Sequence, residues 1–270
     1  MARRRNRAGG LVRSAISHLK GALGTSLRSI HLIDVRIGQI YTGVVLSTGH
    51  GGVAYNFSGE AGCQPVDEAG SISGKTADLA LAMAEDRNLA KASVGIAVAN
   101  ALSSLVFQRH GRYRFVDVDV LDLIRRGDRI VMVGYFLPLI PRVRSKASAL
   151  HVLERRPILD RGVSVLPEEE ADEVIPEADA VVITGSTIVN KTIDRLLGLC
   201  RGAREVVILG PTASLVPDAL FDRGVTAEMG IRVTDSRAMI GIVGEGGGTR
   251  QLLRSAEKMA LLKTEEMGQG

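Results

Sequence analysis

The chain of 270 residues has no tryptophan, four tyrosines and five phenylalanines, so aromatic residues make up only 3% of it. That is too few rings for the base-stacking platforms of a single-strand nucleic-acid binder. Two cysteines, Cys63 and Cys200, supply neither a disulfide framework nor a C-x-x-C pair, and fit a reducing, cytoplasmic setting. The histidines are His18, His31, His50, His110 and His151, and no two stand four residues apart on one helix face. A serine nucleophile has no G-x-S-x-G elbow to occupy. Residues 70–76, GSISGKT, end like a phosphate-binding loop but lack its first glycine and a preceding apolar strand; Thr76 reads instead as a helix cap. No uninterrupted apolar run approaches the ~18 residues of a membrane span. No apolar segment of a secretory signal follows the basic start MARRRNRAGG.

An excess of charge is missing too. The formal net charge is +4, and the first ten residues hold Arg3, Arg4, Arg5 and Arg7 with no acid, so the rest of the chain is neutral. A basic arm reads as a solvating terminus, residues 1–10, rather than as a specific nucleic-acid surface. With 45% hydrophobic and 24% charged residues, the remainder has the balance of a globular protein long enough for two cores.

What is present is a run of apolar strands, each ending in a small or polar turn. RIVMVGYF, ALHVLE, AVVITGST and EVVILGPT follow one another between Arg129 and Thr212. Strands apolar throughout are buried on both faces, as in parallel sheets covered by helices on each side. From Ile130 the reading is strand, helix, strand, loop, strand, helix, strand, helix, strand. That is the α/β alternation of a Rossmann-like sheet with right-handed crossovers. A last helix, TRQLLRSAEKMALL, is expected after the glycine run. The acidic stretch 168–179 reads as a solvated surface segment. Residues 11–124 form a smaller α+β unit: a helix over 11–23, a meander (IDVRIGQIYTGVVLS, then VAYNF), a short helix ADLALAMAED and the long apolar helix NLAKASVGIAVANALSSLVFQ. Residues 125–270 form the Rossmann-like domain.

In such sheets ligands bind beyond the carboxyl ends of the strands, and the candidate groups fall there. Gly134 opens the first turn, followed by Tyr135 and Phe136, although the second and third glycines of G-x-G-x-x-G are missing. Glu154 ends the second strand twenty residues on, where a dinucleotide fold places an acid on ribose hydroxyls. Thr184, Gly185, Ser186 and Asn190 follow the third strand as an anion or polar-ligand cradle, or as caps of the next helix. Gly210 and Pro211 end the fourth strand, with Thr212 or Ser214 as cap or ligand group. Gly247, Gly248 and Thr249 precede the last helix as an anion site or a hinge. His50, Cys63 and Glu154 converge only if the fold brings them together.

VGYFLPLIPRVR, HVLER, ADAVVITGSTIVNKTID, VVILGPTASLVP and GEGGGT, in that order over most of residues 125–250, resemble the heavy-metal chelation domain family, a Rossmann-like family. The helix GIAVANAL, with Asn100 as its polar residue, is similar to the family's partner domain, which has an enolase N-terminal-like fold. The resemblance implies a site in the cleft between domains, carried here by Asn100, Tyr135, Phe136, Glu154, Thr184, Ser186, Asn190 and the 246–249 loop. Carboxylates, amides and hydroxyls are hard donors, suited to a hard cation or a polar organic ligand rather than a soft metal. The expected function is binding of a small polar or anionic ligand, with a nucleotide-type molecule or a metal ion as the cofactor classes. A metal or chelate-handling protein and a non-catalytic assembly protein are the alternatives, and homo-oligomerisation stays open.

Overall fold

A computed structural model describes residues 9–57, 65–158, 160 and 162–264. Cys63 and the four arginines of the first ten residues lie outside these. The first helix, α1 (Leu11–Leu23), buries Leu11, Val12, Ala15, Ile16, Leu19 and Leu23 at helical spacing and stops at Gly24. Strands β1 (Leu32–Ile37), β2 (Tyr41–Leu46) and β3 (Gly51–Tyr55) make an antiparallel sheet in that order. Next come α2 (Ala77–Leu81) and α3 (Leu89–Arg109). Thr76 stands at the start of α2, but its side chain makes no capping bond; Asn88 does cap α3, accepting from the N–H groups of Ala90 and Lys91. Helix α3 is long and apolar enough to cross a membrane, yet 78% of its apolar window is buried inside the fold. It lies so close to β3 that a Cβ on Gly52 would sit 2.2 Å from Ala97 O and 2.4 Å from Ala101 N.

The second sheet has seven strands: β4 (Arg129–Val133), β5 (Ala149–Leu153), β6 (Ser164–Leu166), β7 (Ala180–Thr184), β8 (Glu205–Leu209), β9 (Ala227–Val233) and β10 (Ala256–Leu262). Their order is β10-β9-β8-β7-β4-β5-β6, with every neighbouring pair parallel except β9 and β10. The six parallel strands thus follow the 3-2-1-4-5-6 order of dinucleotide-binding sheets, whose direction reverses between β4 and β7. Helices α4 (Ile140–Arg144), α5 (Ile193–Leu199), α6 (Asp218–Phe221) and α7 (Ser236–Gly244) occupy the connections.

Alternate residues along the strands enter different cores. Val131, Val133, Val181, Ile183, Val206 and Ile208 share a core with α1 and α3, whereas Ile130, Met132, Ala180, Val182 and Val207 pack on the other side with Val120, Ile124 and Val143. The α1–α3 layer therefore covers one face of the large sheet, and one apolar core runs through both halves of the chain.

Two expectations fail. The helix after the glycine run lasts only from Thr249 to Leu252; Ala256–Leu262 is a strand, paired over its whole length with β9. AEKMALL has helix-forming residues, but the open edge of β9 offers a ladder of main-chain bonds that outweighs propensity. The acidic segment is not wholly solvated: Ala171 and Ile175 are fully buried, and Glu168 turns inward, its side chain 15% exposed.

Candidate functional site

The carboxyl ends of β4, β5, β7 and β8 open on the same side of the sheet because the strands are parallel. Gly134, after β4, has φ 102°, and a Cβ there would stand 3.0 Å from Thr184 Cβ. Only glycine both adopts that backbone and lets the two turns approach. Tyr135 N donates to Glu154 Oε2 at 3.1 Å and Arg156 N to Glu154 Oε1 at 3.2 Å, so the carboxylate at the end of β5 laces the neighbouring turn to its own. After β7, the Thr184 and Ser186 hydroxyls lie 3.1 Å apart, and Thr187 Oγ1 donates to Thr184 O at 2.6 Å. Asn190 Oδ1 accepts from Thr192 N and Thr192 Oγ1, which shapes the lead into α5 rather than capping the turn before it.

Above these turns lies a cleft of about 220 Å³, lined also by Tyr41 and Tyr55 of the small sheet and by Phe57 just after it. Gly134, Tyr135, Phe136, Glu154, Thr184, Gly185, Ser186, Asn190, Gly210, Pro211 and Thr249 all line it. Three expected residues do not. Asn100 stands behind the wall, 3% exposed, and its Nδ2 donates to Val53 O at 2.7 Å and Thr212 O at 3.0 Å. Gly247 donates to Ile242 O and ends α7. Gly248 donates to Gln251 Oε1. His50 bonds Thr48 and Gln108 and does not line the cleft with Glu154.

Thr212, considered as a cap or a ligand group, lines the cleft and also bridges the halves: its Oγ1 accepts from Tyr55 N at 2.9 Å. Lining residues not expected include Tyr41, Tyr55, Phe57, Arg155, Arg156 and Glu168. Their signal was the distribution of rings: five of the nine aromatic residues border this one cleft. Tyr55 meets Phe57 edge to face at 4.9 Å and Tyr41 at 6.3 Å.

The electrostatics are paired. Arg156 Nε is 3.7 Å from Glu154 Oε1 and Arg155 Nε 3.6 Å from Glu168 Oε2. Burial raises the Glu168 carboxyl above its ordinary value, with Arg155 opposing. Burial also raises the Tyr41 hydroxyl, which shares a 2.7 Å hydrogen bond with Thr249 Oγ1. The Tyr135 hydroxyl donates to Asp160 Oδ2 at 2.7 Å; this bond raises the phenol and lowers the carboxyl. The described lining carries hydroxyls, aromatic rings and two ion pairs.

Comparison with known proteins places this geometry. Residues 118–262 match the DUF364 family and residues 21–103 the DUF4213 family, both described as "Putative heavy-metal chelation". A crystal structure from the DUF364 family of Desulfitobacterium hafniense, of unknown function, superposes with a TM-score of 0.76 at 22% identity, covering 93% of this chain and 99% of that one. One from Pyrococcus horikoshii, also of unknown function, gives 0.78 at 23%, covering 94% and 100%. An uncharacterized protein of Methanocaldococcus jannaschii is 28% identical over 157 residues, 57% of this chain. That match spans 59% of the relative's length.

Among the described residues the cleft's side-chain donors are carboxylate, amide and hydroxyl groups rather than thiolates or imidazoles. Among the described residues no three His, Cys, Asp or Glu side chains are grouped to hold an ion, and Glu154 and Glu168 already face N–H groups and guanidinium. The fold nonetheless extends along nearly the whole chain, and with a family model matched over more than half its residues, the protein belongs to the DUF364 family, described as "Putative heavy-metal chelation".

Proposed function

We propose that the cleft binds a compact polar organic ligand of nucleotide type, with a planar ring and a hydroxylated or anionic part. The observation that carries this reading is the meeting of five aromatic rings with four strand-end turns at the β4–β7 switch point. The rings of Tyr55 and Phe136 supply apolar surface for a planar group, backed by the buried Phe57. Glu154 occupies the end of the second strand, where an acid meets ribose hydroxyls in dinucleotide folds. Thr184, Ser186 and Asn190 offer hydroxyl and amide partners to the polar part, and Arg155 and Arg156 positive charge to an anionic end. At about 220 Å³ the space falls below the ~300–1,000 Å³ of drug-sized pockets, which favours a mononucleotide or nucleoside over a dinucleotide.

Isothermal titration with adenosine, AMP, ATP, NAD and S-adenosylmethionine tests the reading, with divalent metals titrated in parallel. Saturable heat with a mononucleoside compound, abolished in Tyr55→Ala and Phe136→Ala, is expected. Absence of heat and of any thermal shift with every organic compound would refute it. A response to a transition metal alone would return the site to the chemistry of the family's description.

A further inference from the structure

Strand β1 is the edge of the small sheet. At its start the edge is occupied, because Leu32 N donates to Lys75 O and Gly74 N to Leu32 O. Further along it is open. Gly38 N donates to Tyr41 O at 2.9 Å, which makes 38 and 41 a hydrogen-bonded pair of the β1–β2 hairpin. The alternation of an antiparallel ladder then turns the main-chain groups of Val35 and Ile37 away from β2, and no described segment pairs with that side. Ile33 is 62% exposed and Ile37 40%. An open edge flanked by exposed isoleucines invites another strand.

The sequence of this edge is complementary to itself. Residues 33–37 read Ile-Asp-Val-Arg-Ile, so reversing the direction exchanges the two charges and leaves the apolar positions unchanged. We propose that a second copy of this chain docks antiparallel along β1, on a two-fold axis through Val35. Val35 then faces the partner's Val35 and Asp34 the partner's Arg36, while Ile33, at the register break between Leu32 and Asp34, adds exposed apolar surface at the end of the seam. The main chain supports this register, since Val35 turns its own N–H and C=O outward and forms the hydrogen-bonded pair on the axis. Positions 34 and 36 fall in the non-hydrogen-bonded pair, where facing side chains come closest. Sliding the partner by two residues, which moves the axis to 34 or 36, would set Asp34 against Asp34 or Arg36 against Arg36, a like-charge contact. In the single chain Arg36 Nη2 and Asp34 Oδ2 lie 3.2 Å apart with both side chains in solvent, a pair that gains little and is free to exchange with the partner's. The result is an isologous, six-stranded sheet.

Sedimentation velocity of the full chain, over a dilution series reaching about 1 mM, reads the association. The wild type is expected to dimerise, and added salt to weaken the dimer. Asp34→Arg and Arg36→Asp each set like charges across the axis and should weaken self-association at least tenfold, with unchanged melting temperatures. Ile33→Lys should do the same without reversing either charge. An equimolar mixture of the Asp34→Arg and Arg36→Asp chains restores both cross-axis pairs and should form a heterodimer. A wild type that stays monomeric throughout means that Asp34 and Arg36 only guard the edge, and overturns the proposal. So does a mixture that stays monomeric, or a single variant that dimerises as tightly as the wild type.

Discussion

Replacing Asn100 by alanine should cost this protein a large part of its stability, because one side chain closes two main-chain vacancies in different halves of the fold. Leu46 N donates to His50 O, so 46 and 50 form a hydrogen-bonded pair of the β2–β3 ladder, as then do 44 with 52 and 42 with 54. Val53 therefore turns its carbonyl away from β2, toward α3, where Asn100 Nδ2 meets it at 2.7 Å. The same nitrogen reaches Thr212 O, 3.0 Å away in the turn after β8. Asn100 Oδ1 is buried without a partner, which the two bonds made by the amide nitrogen must outweigh. Truncation leaves two carbonyls without this donor, each costing about 1–3 kcal/mol. The expected loss is about 2–6 kcal/mol, set against a total of about 5–15 kcal/mol for a typical protein.

Urea unfolding followed by circular dichroism measures the loss, with an unchanged m-value confirming that the same surface is exposed. Asn100→Leu is the companion variant, since it keeps the volume and removes the donor. If the argument is right, leucine recovers little of what alanine loses. A loss below about 1 kcal/mol in both variants would mean that water or a shift of α3 satisfies Val53 and Thr212, and the reasoning would fail. The same pair should loosen the cleft, because Thr212 lines it and is tied by its hydroxyl to Tyr55 N.

Gly52→Ala should destabilise by at least about 3 kcal/mol or prevent recovery of folded protein, as the added carbon would meet the α3 backbone at 2.2 and 2.4 Å; a urea melt near the wild type's contradicts this. Gly134→Ala should cost about 1–3 kcal/mol for a φ near 102° and reduce ligand heat, read from the same melts and titrations. The Cys200 thiol, buried and pushed up to about 12, should not react with a disulfide reagent at pH 8 in a Cys63→Ser background until urea unfolds the chain; reaction within minutes in the native state counts against its burial. Glu228 is fully buried, and neither carboxylate oxygen completes a hydrogen bond. Burial raises it well above its ordinary value, partly offset by the nearby Leu215 main chain and reinforced by Asp218. The neutral acid is thus favoured in the fold: its contribution is complete below the unfolded value of about 4.3 and is lost as pH rises through the raised folded value. Relative to Glu228→Gln, wild-type stability should fall by up to about 1.4 kcal/mol per pH unit over that window. Parallel pH curves for the two proteins would contradict the assignment.

The elements legible in the sequence were those whose cause is local. Helix α1 ended at Gly24, the meander turned near Gly38, and each parallel strand stopped at its small or polar turn, because periodicity and turn residues act within a few positions. Asp119 and Asp122 form a reciprocal cap around the Val120–Leu123 turn, another element whose cause lies within a few positions. What escaped had non-local causes. Ala256–Leu262 has no strand pattern of its own and becomes a strand because β9 lies beside it. Glu168 belongs to an acidic run that looks solvated, yet it is drawn inward beside Arg155.

The site divides along the same line. Groups supplied by the large sheet follow from one statement, that parallel strands end together, and Gly134, Glu154, Thr184 and Gly210 do gather at one rim. Tyr41, Tyr55 and Phe57 could not be reached that way, because only the docking of α3 through Asn100 and Thr212 sets their distance from that rim. Composition held a clue of a different kind. The buried cores are filled mostly by leucine, isoleucine, valine and alanine, and of the nine rings only Tyr41, Phe57, Tyr113 and Phe221 are buried. With nine aromatic residues in 270, a ring is a costly choice of surface and its position is informative. Scarcity argues against an extended stacking track, but it gives weight to the few rings that collect: Tyr41, Tyr55, Phe57, Tyr135 and Phe136 all border a single cleft. For a chain so poor in aromatics, asking which rings share a wall is a sharper guide to a binding site than any motif it lacks.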